Sequence, residues 1–71
     1  MSQTQELRYR FYHELETIYH RFFDEIARAN LGDGEAGRLT QAVLLSRQEG
    51  LKQLVSPDEM ADYLAIYPED A

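Results

Sequence analysis

Leu7, Phe11, Leu15, Ile18, Phe22, Ile26 and Ala29 recur at spacings of 4, 4, 3, 4, 4 and 3. At about 100° per residue these positions fall on one narrow stripe of an α-helix. The pattern predicts a single long helix over about 4–31, capped by Ser2 or Thr4 and stopped by Gly32. At a rise of ~1.5 Å per residue it would run about 40 Å. A helix of that length with a continuous apolar stripe calls for a second helix alongside. Next to the stripe, rotated by about 80°, stands a rib of Tyr12, Tyr19 and Phe23. Stripe and rib together span an arc of roughly 160°.

Residues 32–37, Gly-Asp-Gly-Glu-Ala-Gly, read as a loop. A second helix is expected from about 38 to 55, with Leu39, Val43, Leu44, Leu51, Leu54 and Val55 as its apolar residues. Gly50 inside it costs about 1 kcal/mol relative to alanine and marks a bend, a close contact or an early end. Ser56-Pro57-Asp58-Glu59 is the strongest local signal. The serine oxygen can accept from the third helical N–H, Glu59 can reach back to the serine N–H, and proline at the first helical position loses no hydrogen bond. A third helix should therefore cover 57–66, with Met60, Tyr63, Leu64 and Tyr67 as its apolar stripe and Pro68 as its stop. Residues 69–71 are expected to fray. The fold class that follows is all-α. A long N-terminal helix forms an antiparallel hairpin with the second helix, a short third helix follows, and residues 1–71 make one domain.

A chain of 71 residues sits near the lower limit of independent stability. It contains no cysteine, which removes disulfides, cysteine-based metal centres and a thiol nucleophile. Good helix packing or self-association must then supply stability, and a homodimer is expected. The polar start, without a basic segment leading into an apolar one, predicts no secretory signal. The longest apolar run, 42–45, is far too short to cross a bilayer, so no membrane role is expected and a cytoplasmic location is. The net charge of −6 is unevenly placed: residues 1–55 hold eight acids and seven bases, whereas 56–71 hold five acids and no base. Acidity of this kind disfavours direct nucleic-acid binding.

Four patterns invite a chemical reading. Gly32, Gly34 and Gly37 spell the spacing of a dinucleotide-binding loop, but they follow a helix rather than a strand, and Asp33 and Glu35 would repel phosphate. His13, Glu16, His20 and Asp24 share one helix face, yet they spread over three turns, and at most a neighbouring pair could hold one ion. Arg10, Arg21 and Arg28 each have an acid one turn away, the pattern of a solvated helix surface. Ser46 and Ser56 are explained by a small helix contact and by capping. The reading is therefore of no catalytic, cofactor-binding or metal-binding residue, no cofactor and no enzyme.

Arg47 stands amid Val43, Leu44, Leu51 and Leu54, where a lone guanidinium needs an acid or an edge. Either it points out between two smaller faces, or it pairs across an interface, with Glu14 or Glu25 as candidates. The rib is likewise open to two readings: the third helix folds back over it, or it is a binding face. Tyrosine and phenylalanine suit an interface, and the partner-binding candidates are Tyr12, Tyr19, Phe23, Arg47, Tyr63 and Tyr67. The function expected is a non-catalytic protein-interaction module — a regulator, adaptor or assembly factor — that binds a protein partner through an aromatic helix face. The alternative is an acidic inhibitor or antitoxin presenting Asp58, Glu59, Asp62, Glu69 and Asp70 to a basic site on its target.

Overall fold

Ser2 opens the first helix as the sequence predicts, its hydroxyl accepting the Gln5 N–H at 3.1 Å. In the computed structural model, which describes residues 2–68, that helix (α1) runs Gln3–Arg28. It stops earlier than expected, and glycine is not the reason. Asn30 adopts the left-handed conformation, φ 55°, and does the work assigned to Gly32. Short polar side chains tolerate that region better than other non-glycine residues.

The loop is correspondingly shorter than the sequence suggested. The second helix (α2) spans Asp33–Leu54, so Gly34 and Gly37 lie in its first turns and Gly32 is its extended N-cap. No described glycine has a positive φ. The glycine spacing therefore builds the start of a helix and not a phosphate cradle. Gly50 does not interrupt α2. An added Cβ there would lie 3.9 Å from the Tyr19 hydroxyl, an ordinary contact distance, so Gly50 marks neither a bend nor an early end and faces α1 with room to spare.

Proline 57 starts a 3₁₀ turn, Pro57–Glu59, that continues as helix α3, Met60–Ile66. Glu59 reaches back as predicted, its Oε1 accepting from the Ser56 N–H at 3.3 Å and from the Ser56 hydroxyl at 3.2 Å. The Glu59 N–H itself goes to the Ser56 carbonyl at 3.0 Å, which closes the tight turn.

α1 and α2 form the expected antiparallel hairpin: Arg8 bonds the Leu54 carbonyl, Glu16 bonds Arg47, and Tyr19 bonds Ser46. α3 then folds against the N-terminal half of α1. The core is small, comprising Tyr9, Leu51, Val55 and Tyr63. The radius of gyration is 14.4 Å, against about 11 Å for a compact chain of this length. No helix among the described residues is long and apolar enough to cross a membrane.

One expectation is corrected by the packing. The stripe was assigned to α2, and the rib was left open between cover by the third helix and a binding face; the core instead forms on the Tyr9–Tyr12 side of α1, where α3 covers Tyr12, and the stripe is only half-buried. Tyr9, only 1 % exposed, is the deepest side chain, and Tyr12 packs on the same core. Phe11 and Phe22, in the middle of the stripe, are 43 % and 41 % exposed. The hydroxyls permit this: Tyr9 accepts from Gln5, one turn back on α1, and Tyr19 pairs with Ser46 at the exposed edge of the hairpin, so neither is left without a partner.

Candidate functional site

The tyrosines that the sequence offered as a binding face converge with α3. Tyr12 meets Tyr63 edge-on, ring centroids 4.6 Å apart, and Tyr63 lies 5.4 Å from Tyr67. Tyr9 closes the group from below, edge-on to Tyr63 at 5.9 Å. His13 stacks on Tyr67 at 4.5 Å and an interplanar angle of 17°. Burial first, then Tyr12, Glu16 and Tyr67, pushes the Tyr63 hydroxyl up to about 12. Burial raises Tyr12 as well.

Beside this cluster opens a cleft of about 490 Å³, lined by Tyr12, Glu16, Arg47, Tyr63 and Tyr67 among others. Arg47 turns into it and bonds both carboxylate oxygens of Glu16, at 2.9 and 3.1 Å. The arginine in the apolar arc of α2 and the acid in the tyrosine face of α1 are thus each other's partner within one chain. Neither reading of Arg47 anticipated Glu16, which was grouped with His13, His20 and Asp24 on one face of the first helix. His20 does lie near it, at 3.6 Å, but is itself well exposed.

Tyr19 and Phe23, the other two rib residues, are not part of the cleft. The Tyr19 hydroxyl lies 2.8 Å from Ser46 Oγ, and its ring meets Phe22 edge-on at 5.7 Å. Phe23 lines a crevice at the loop end of the hairpin with Ala36 and Thr40. Of the six partner-binding candidates, Tyr12, Arg47, Tyr63 and Tyr67 are therefore gathered in one place, and Tyr19 and Phe23 lie further along α1.

Arg8 is the residue the sequence reading passed over. Its guanidinium takes the Glu59 carboxylate in two bonds of 2.8 Å and also donates to the Leu54 carbonyl at 2.7 Å. One side chain thereby ties α1 to the end of α2 and the start of α3. The Arg8 and Ser56 bonds hold the Glu59 carboxyl down, from 4.5 to about 2. Glu59 is consequently engaged within the chain, while Asp58 and Asp62 face solvent. Glu69 and Asp70 lie outside the described residues. A signal for Arg8 did exist: it lies a helical turn from Phe11 and Tyr12, on the side of α1 turned toward α2.

The uncovered apolar surface lies on the opposite flank of α1. Phe11, Leu15 and Ile18 line a shallow groove there with Glu14 and with Leu54 of α2. Leu39 of α2 is 44 % exposed. Spacings of 4, 3, 4 and 4 put Leu39, Val43, Ser46, Gly50 and Leu54 on one edge of that helix. Among the described residues no group of three or more His, Asp or Glu side chains is placed to hold a metal ion.

No curated protein and no solved structure matches the chain. A family model does match, over residues 1–60, a span that covers α1, α2 and the Ser56–Glu59 turn and ends before Tyr63 and Tyr67. With both long helices and the turn that anchors the third inside that span, the chain belongs to the family described as hercynine metabolism small protein.

Proposed function

We propose that this chain serves hercynine metabolism as a non-catalytic interaction module, docking on a protein partner through the apolar flank of α1. The observation that carries the reading is the exposure of Phe11 and Phe22 in the middle of a stripe where burial would be expected. Contiguous apolar surface on so small a protein is the ordinary mark of an interface. The core inside one copy is also slight for a free-standing chain. The paired charges and satisfied hydroxyls of the cleft serve packing, and nothing in this reading requires them to react.

The test is the double change Phe11→Glu and Phe22→Glu, with crosslinking in the native cell and mass spectrometry. The wild-type chain should crosslink, through residues of α1, to an enzyme that makes or consumes hercynine. The variant should remain helical by circular dichroism and lose that crosslink. A variant that keeps the crosslink removes α1 from the docking role. One that unfolds makes the two phenylalanines core residues.

A second reading rests on the cleft. Hercynine is a trimethylammonium betaine of histidine, so it carries a methylated cation, a carboxylate and an imidazole. Electron-rich tyrosine faces attract such cations, and Glu16 and Arg47 offer one charge to each end of a zwitterion. His13 stacked on Tyr67 shows that this wall accepts an imidazole plane. Titration of the chain with hercynine and with histidine, followed by NMR, separates the cases. Shifts at Tyr12 and Tyr67 with hercynine, at least about tenfold weaker with histidine, support a ligand site. Equal or absent shifts leave the cleft a packing feature.

A further inference from the structure

We infer that the apolar flank of α1 pairs with the same flank of a second copy, antiparallel, about a two-fold axis near residue 17. The inference rests on the reading above only in taking this flank for a docking surface; it names a second copy as the occupant in the free protein, which an enzyme partner would have to displace. Its basis is a symmetry within α1. Leu7 with Ile26, Phe11 with Phe22, and Leu15 with Ile18 share one midpoint, between residues 16 and 17. The charges along one edge of the stripe mirror each other about nearly the same point: Arg10 with Glu25, and Glu14 with Arg21, each pair of opposite sign. All four of these charged residues are exposed.

A two-fold axis perpendicular to two helices runs them antiparallel and sets each edge of the contact against itself. Phe11 then faces Phe22 of the other copy, and Leu15 faces Ile18. Along the charged edge Arg10 comes beside Glu25 and Glu14 beside Arg21, one attraction at every step. A parallel pairing about an axis along the helices would instead set this charged edge against the α2-walled edge of the other copy, and none of the four charges would meet its opposite. Within one chain Arg10 and Glu14 make only a loose contact of 3.9 Å, and Arg10 lies over the Phe11 ring at 5.6 Å; both are well exposed and can turn to a partner. The other edge of the stripe is walled by α2, with Leu54 in the groove beside Phe11 and Leu15. The same axis lays the Leu39 edge of α2 beside its copy, and the assembly becomes a four-helix bundle.

The absence of cysteine permits single spin labels on the full chain. Thr17→Cys labels should lie side by side, near the axis. Arg28→Cys labels should be separated by about 30 Å along the helices, from ~1.5 Å per residue on each side of the axis. Arg28 labels as close as those at Thr17 would mean a parallel pair and overturn the inference. A second test uses charge. Glu14→Arg should weaken the dimer by about tenfold, and adding Arg21→Glu in the same chain should restore it to within a few-fold. Failure of that restoration also overturns the inference, as does a monomer by light scattering at all concentrations. If the chain is monomeric and Phe11→Glu with Phe22→Glu still abolishes the crosslink to an enzyme, self-pairing falls while the docking reading stands. If the enzyme crosslink is indifferent to those changes and the label distances hold, the reverse is true.

Discussion

Arg8 and Glu59 show how much one pair of side chains can organise. Glu59 was legible as a capping residue, but its capping oxygen Oε1 also receives Arg8, and Oε2 takes the second guanidinium bond. Because the carboxyl is held down to about 2, the folded chain keeps it ionised where the unfolded chain takes up a proton. Its contribution to stability is present above the ordinary value of 4.5 and is lost as pH falls from there toward 2. Acid titration of helicity should therefore show a transition in that window. Glu59→Gln should lower the melting temperature at pH 7 and remove much of the difference between pH 7 and pH 3. An unchanged acid transition in that variant would assign it to other carboxyls. Tyr63 behaves in the opposite sense. Its hydroxyl is pushed up to about 12, so its contribution is complete below the ordinary value of 10 and fades as pH rises toward 12. Tyr63→Phe should flatten alkaline unfolding, followed by circular dichroism between pH 9 and pH 12, while retaining most of the ring packing.

At the scale of elements, the periodicity of α1 was legible and its rotation was not. Two stripes lie side by side: Leu7, Phe11, Leu15, Ile18, Phe22 and Ile26 in one, and Tyr9, Tyr12, Glu16, Tyr19 and Phe23 in the other. Hydropathy favours the first, because tyrosine counts as half polar and Glu16 interrupts the second. The hairpin buries much of the second because its polar groups find partners there: Glu16 with Arg47, and Tyr19 with Ser46. The glycines of α2 lead to a direct prediction. Gly37 has open space where a Cβ would stand, and at Gly50 the nearest atom is at an ordinary contact distance of 3.9 Å. Both lie within the helix with no positive φ. Gly37→Ala and Gly50→Ala should each raise stability by about 0.5–1 kcal/mol in urea unfolding. A gain at Gly37 with a loss at Gly50 would show that α1 and α2 approach more closely there than 3.9 Å.

The molecule has an open shape, 46 × 24 × 17 Å, with four buried apolar residues among those described and large apolar side chains left outside. The proposed self-association would complete such a structure. Light scattering after size exclusion should report about twice the 8.3 kDa chain mass at micromolar concentration. Since apolar burial drives the proposed contact and the charge pairs lie at its rim, the dimer should change in affinity by less than about tenfold between low and high salt. A steep salt dependence would instead favour an acidic segment meeting a basic target. The engagement of Glu59 by Arg8 takes one acid away from such a segment.

Taken by itself, the sequence determined the helices, because their signals are local. The period of Leu7 to Ile26 sets α1, and Ser56-Pro57-Asp58-Glu59 sets the start of the third helix. It left the end of α1 to be misread, since Gly32 is a stronger stop than Asn30 in isolation and the backbone used the asparagine. Which of the two stripes faces inward, which acid meets Arg47, and where Arg8 reaches were decided only by the tertiary structure. The reason is that each depends on pairing groups 27 to 51 residues apart in the chain. Local periodicity ranks faces by hydropathy, but burial is decided by whether every polar atom taken inside finds a partner, and that partner lies on another helix.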